Sequence, residues 1–151
     1  MDSGLLVLFV VGTLDVSLVP RHGRTDDFTA EDYELLTRCL GTYKRIHVTP
    51  NIVTEASNLL RQTDRKCGEK LMDVLREVIG RIDESYVTSK KAASSKALGW
   101  AGVADCSIVK GFGKRIDILT VDFPLYRFLQ ASGYRAINFH NLRPANWGLR
   151  I

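Results

Sequence analysis

The feature that most constrains this chain is the alternation of its apolar segments. Short β-branched runs at Arg45 to Val48, Ile116 to Val121 and Tyr134 to Phe139 are separated by longer stretches whose apolar residues recur every three or four positions. Strands joined by helices pair in parallel, because a parallel connection needs a crossover long enough to hold one. The expected fold class is therefore α/β, with three layers, α/β/α, around a mainly parallel central sheet. At 151 residues, with 45% of them hydrophobic, the chain is long enough to bury its own core as a single domain over 1–151.

Local signals place the helices. Leu5 to Val11 is apolar nearly all round, as in a helix packed on several sides. It is too short to span a membrane, Asp2 stands before it where a secretory leader would carry Lys or Arg, and no small-residue cleavage site follows. Phe28-Thr29-Ala30-Glu31-Asp32-Tyr33 opens a second helix, with Thr29 as cap, Asp32 on the dipole, and Phe28 and Tyr33 as the hydrophobic staple. Thr49-Pro50 starts another, Pro50 falling at the first helical position. Gly68 to Ile82 is amphipathic, Gly102 to Val109 reads as helix, and Pro124 to Ala131 is stopped by Gly133. Ser85 to Thr88 reads as a strand and Ser89 to Lys96 as a polar, flexible connector.

Three cysteines, Cys39, Cys67 and Cys106, are odd in number and lack C-x-x-C spacing, which fits a reducing, cytoplasmic setting. The formal charge is +4, with the bases dispersed over predicted loops and element ends. Arg24, Lys44, Lys91 and Lys96 are candidates for a basic rim that grips nucleic acid; the same residues also suit an ordinary solvated surface.

In open parallel sheets ligands gather where strands end and helices begin. Four carboxylates fall at such junctions: Asp2 before the first helix, Glu55 in the first turns after Thr49-Pro50, Asp105 early in its helix, and Asp122 directly after the strand ILTV. If they converge, they repel one another when empty, and a divalent cation relieves that repulsion. All-oxygen donors favour Mg²⁺ or Mn²⁺ over zinc. The plainer reading is that acids favour helix starts anyway, with Asp122 a helix cap and Asp105 an exposed residue.

Other chemistries lack their signatures. There is no P-loop, G-x-G-x-x-G, G-x-S-x-G or H-E-x-x-H. His22, His47 and His140 are isolated, and Gly111-Phe112-Gly113-Lys114 ends a helix where a phosphate loop would begin one. Trp100, Trp147, Phe123, Tyr126 and Phe128 read as core or packing edge rather than as base-stacking platforms.

At these same residues the chain resembles the PIN-domain family, the fold of VapC-like toxin ribonucleases. DSGLL at 2–6 is similar to the family's opening motif, TPNIVTEASNL at 49–59 to its second helix, ADCSIV at 104–109 and LTVDFPLY at 119–126 to its two later acidic segments, and YRAINF at 134–139 to its closing strand. The resemblance implies Mg²⁺- or Mn²⁺-dependent hydrolysis of RNA phosphodiester bonds. Asp2, Glu55, Asp105 and Asp122 would be metal ligands or water-orienting groups, and Ser3 would support Asp2. It also implies an antitoxin protein and a homodimer as partners. In the family a hydrophobic strand precedes the first aspartate; here only Met1 does. Either the true start lies upstream, or the sheet is built without that strand and Asp2 is poorly anchored; a catalytically weak module that binds RNA or protein is the alternative function. A phosphatase-like Mg²⁺ enzyme on another α/β fold lacks any recognisable nucleophile setting.

Overall fold

In the computed structural model, which describes residues 1–143, the chain is mainly helical. Among the described residues there are seven α-helices and four short strands. The helices are α1 (Ser3–Leu14), α2 (Ala30–Gly41), α3 (Pro50–Leu60), α4 (Arg65–Ile79), α5 (Ser89–Ala93), α6 (Leu98–Gly111) and α7 (Phe123–Ala131). The strands are β1 (His47–Val48), β2 (Asp83–Glu84), β3 (Asp117–Thr120) and β4 (Arg135–Asn138).

These strands do not form a central sheet, so the expected three-layer α/β/α architecture is not the one observed. β1 pairs in parallel with β2, and β3 pairs in parallel with β4 from Asp117 opposite Arg135 to Thr120 opposite Asn138. Met1 and Asp2 link the pairs: the Met1 nitrogen donates to the His47 carbonyl (3.3 Å) and the Asp2 N–H to that of Leu119 (3.2 Å). Two-residue strands are far below the usual length of about five or six residues and cannot carry a layer by themselves.

The centre is occupied by α1 instead. Its apolar run leaves Leu5, Leu6, Val7, Leu8, Val10 and Val11 fully buried, and α1 packs against α2, α3 and α4. A helix apolar all round needs partners all round, and three amphipathic helices supply them. The parallel pairs survive at the edge of that core, contributing Val48, Ile118 and Leu119 to it.

The local caps form where the sequence places them. Thr29 and Asp32 make a reciprocal capping box on α2, and Asp32 also holds Arg143 through a two-pronged ion pair at 2.8 and 2.9 Å. Thr49 caps α3 through the Ile52 N–H. Several spans differ from expectation. The 89–96 segment is not a connector throughout, since Ser89–Ala93 is helical and capped by Thr88. The strand expected over 85–88 lies earlier, at Asp83–Glu84, although the Ser85 N–H still reaches the Val48 carbonyl at 2.9 Å. α4 begins at Arg65 because Asp64 caps it through the Cys67 N–H.

Candidate active site

The four carboxylates come from four different segments. Asp2 caps α1: its Oδ1 accepts the Leu5 N–H at 2.9 Å. Its Oδ2 accepts the Val121 N–H at 2.8 Å and the Thr120 hydroxyl. Only 3% of the residue is exposed. Gly4 permits this close seat, since a Cβ there would lie 2.9 Å from a Val121 methyl. Asp2 is therefore firmly held, against the weak anchoring expected, because backbone and hydroxyl donors at the end of β3 and in α1 fix both of its oxygens.

Asp122 follows β3 and caps α7, its Oδ1 accepting the Leu125 N–H at 2.7 Å. Thr120 ties the two aspartates together: its hydroxyl donates to Asp2 and accepts the Asp122 N–H at 3.0 Å. Glu55 lies in α3 and is exposed, and the Ser3 hydroxyl donates to its Oε2 at 2.5 Å. Ser3 thus supports Glu55 rather than Asp2, the role expected for it, because Asp2 is turned onto Thr120 and Val121.

Asp105 projects from α6 just beyond a break in that helix. Gly102 adopts φ 79° and ψ 175°, a conformation open to glycine and strained for side-chain residues, so a fresh helical segment begins immediately before Asp105. A hydroxyl contact of 2.6 Å between Thr49 and Ser107 locks α6 to the start of α3, which fixes Asp105 relative to Glu55.

Half-buried, and with no side-chain hydrogen bond among the described residues, Asp105 is pushed up to about 7. Burial is the main cause, followed by the charges of Asp2, Asp122 and Glu55. All four acids therefore share one electrostatic neighbourhood, although they are as much as 120 residues apart in the chain (Asp2 and Asp122).

The acids offer oxygen donors throughout, the chemistry that hard divalent cations take. Among the described residues no three His, Cys, Asp or Glu side chains form a ready-made cage. An ion held here would rest on one or two carboxylates with water completing the shell, the usual arrangement for Mg²⁺.

The basic residues are more scattered. Arg24, Lys44, Lys91 and Lys96 are all exposed. Lys91 lies on α5, whose Ser89 borders a groove that also contains Glu55. Lys44 precedes β1, at the strand end opposite the carboxylates, and Arg24 bonds Gln62 beyond the end of α3 (2.6 Å). These two are not brought to the acids. Lys96 lies between α5 and α6. Of the aromatics, Trp100 packs edge-on against Phe128 and Phe123 lies tilted to Tyr126, while Trp147 falls outside the described residues.

Thr120 and Ser107 are the positioning residues that sequence reasoning left unassigned, and Thr49 was read only as the cap of α3. Thr120 had a signal, its place two residues before Asp122; Ser107 had none. No protein-family model, curated protein or solved structure matches the chain.

Proposed function

We propose that this chain is a divalent-metal-dependent ribonuclease that hydrolyses RNA phosphodiester bonds at the Asp2–Glu55–Asp105–Asp122 cluster. The observation that carries the reading is the way the acids are tied together: the Thr120 hydroxyl links Asp2 to Asp122, Ser3 beside Asp2 donates to Glu55, and the charges of all three, after burial, push Asp105 up. A bound Mg²⁺ or Mn²⁺ would polarise a phosphoryl oxygen and acidify a water. Asp105, whose carboxylate takes no side-chain hydrogen bond among the described residues, suits acceptance of the proton that the water loses as its oxygen bonds to phosphorus; the ribose oxygen leaves phosphorus and takes up a proton from solvent. Asp2 and Asp122, fixed by backbone N–H groups, hold the negative charge of the site in place. Glu55, steadied by Ser3, faces the solvent side from which a chain-like substrate arrives.

Incubation of the protein with single-stranded RNA and Mn²⁺ tests this. Cleavage should appear with Mn²⁺, stop with EDTA and fall by about 10²-fold or more in Asp105→Asn. Cleavage indifferent to both treatments would defeat the reading. An antitoxin partner and a homodimer belong to the same proposal.

One observation favours a second reading, a catalytically weak module that binds RNA. Among the described residues the carboxylates do not close a cage. Calorimetry separates the two: the nuclease takes up Mn²⁺ at the cluster, whereas the module binds RNA in a salt-dependent way and takes up no divalent ion.

A further inference from the structure

Beside the acidic cluster runs a groove of about 460 Å³, within the roughly 300–1,000 Å³ range of small-molecule sites. Glu55 belongs to both. The α3 wall also carries Asn51, Thr54 and Asn58, whose polar side chains make no hydrogen bonds among the described residues. Opposite stands Tyr86, 80% exposed, the most exposed of the large hydrophobic residues among those described.

That exposure is built in. Ser85 is held to Val48 by its N–H, and Val87 is buried at 4% against Ala92, Ala97 and Cys106. In an extended segment neighbouring side chains point to opposite faces, so anchoring Val87 inward drives Tyr86 outward over the groove. An exposed aromatic ring facing amides that are open to solvent suits a flat heterocycle with polar edges. Lys90 and Lys91 follow on α5 and are exposed, which suits a phosphate backbone passing outside.

We propose that this groove takes a nucleobase of single-stranded RNA, stacked on Tyr86 and read at its edges by Asn51 and Asn58, next to the bond presented to the carboxylates. The inference rests on the ribonuclease reading and gives that site its substrate form: an unpaired base, since a base within a duplex cannot lie on the ring.

The test uses the full chain carrying Asp105→Asn, so that nothing is cut, and fluorescence anisotropy with a labelled single-stranded RNA across a salt series. Adding Tyr86→Ala should weaken binding about fivefold or more, the lower range of base–aromatic stacking. Tyr86→Phe should retain the affinity, and the slope of affinity against salt should stay unchanged because no ionic contact is lost. Tyr86 packs against little, so the melting temperature serves as the folding check. Equal affinity for the Ala and parental chains overturns the proposal, as does an absence of RNA binding in either, or equal competition by duplex RNA. Tyr86-dependent binding without cleavage by the parental chain would remove the nuclease reading and leave the groove. Cleavage with no Tyr86 dependence would do the reverse.

Discussion

Asp2 and Asp105 are the same residue type at helix beginnings in one cluster, yet their surroundings are opposite. Asp2 is almost fully buried and its two oxygens take bonds from Leu5, Val121 and Thr120. Asp105 is less buried, takes none among the described residues and is pushed up to about 7. Three donors are aimed at Asp2, whereas burial and neighbouring charges press on Asp105 with none among the described residues to answer them. One carboxylate supports the fold and the other is left with unmet demand, which is where a cation or a proton goes. Substitutions at the two positions should consequently move stability in opposite directions.

The largest expected effect is at Asp2. Asp2→Ala leaves two backbone N–H groups and a hydroxyl without their acceptor, a loss of about 3 kcal/mol or more, or roughly 6–12 °C in melting temperature for a chain of this size. Thermal denaturation measures it, and a loss below about 1 kcal/mol would mean that water replaces the carboxylate easily.

Asp105→Asn should do the opposite in the absence of metal. The folded-state value of about 7 lies above the ordinary 3.8, so the folded protein keeps a proton that the unfolded chain gives up. Stability therefore declines as pH rises from about 4 through 7, and the full penalty holds above that. At pH 8 in EDTA the asparagine variant should melt higher than the parent by about 1–3 kcal/mol in stability, and at pH 4 the two should converge. A variant that is less stable at pH 8 would show that Asp105 is held by attractions rather than pressed by repulsion.

Divalent metal sharpens the contrast from the other side. Mn²⁺ at ten times its dissociation constant stabilises a protein that binds it only when folded by about 1.4 kcal/mol. That shift should appear at pH 8 in the parent, shrink at pH 5 where Asp105 is protonated, and disappear in Asp105→Asn. An equal shift in both chains would place the ion elsewhere.

The contrast also marks what the sequence disclosed. Thr29 with Asp32, Thr49 with Pro50 and Asp122 before Pro124 are cap signals whose partners lie within three residues, and all were readable. The four acids were readable as residues at element junctions. The sheet was not, because β-branched runs state a preference while pairing depends on distant segments; with two-residue β1 and β2, the helical packing around α1 prevails. The five-residue α5 was hidden in a polar run, legible only through Thr88. Nor could Ser3 be paired correctly. Its hydroxyl meets Glu55, 52 positions away, and the Thr120 hydroxyl meets Asp2 across 118. Local chemistry was legible and long-range partnership was not.

Ser3 offers the finest test of the comparison, because it lies next to Asp2 in the chain and serves the other side of the cluster. Its hydroxyl donates to the exposed Glu55 at 2.5 Å and belongs to the first turn of α1. If the Asp2 side carries the fold and the Glu55 side carries function, Ser3→Ala should cost little stability, about 1 kcal/mol, while freeing Glu55 to sample other rotamers. Metal affinity and RNA cleavage should then fall by up to about tenfold, less than for Asp105→Asn, since the carboxylate itself remains. Calorimetric Mn²⁺ titration and the cleavage rate measure both quantities on one preparation. A stability loss as large as that of Asp2→Ala, with cleavage unchanged, would reverse the assignment: Ser3 would then act as part of the helix cap, and Glu55 would be a bystander at the rim.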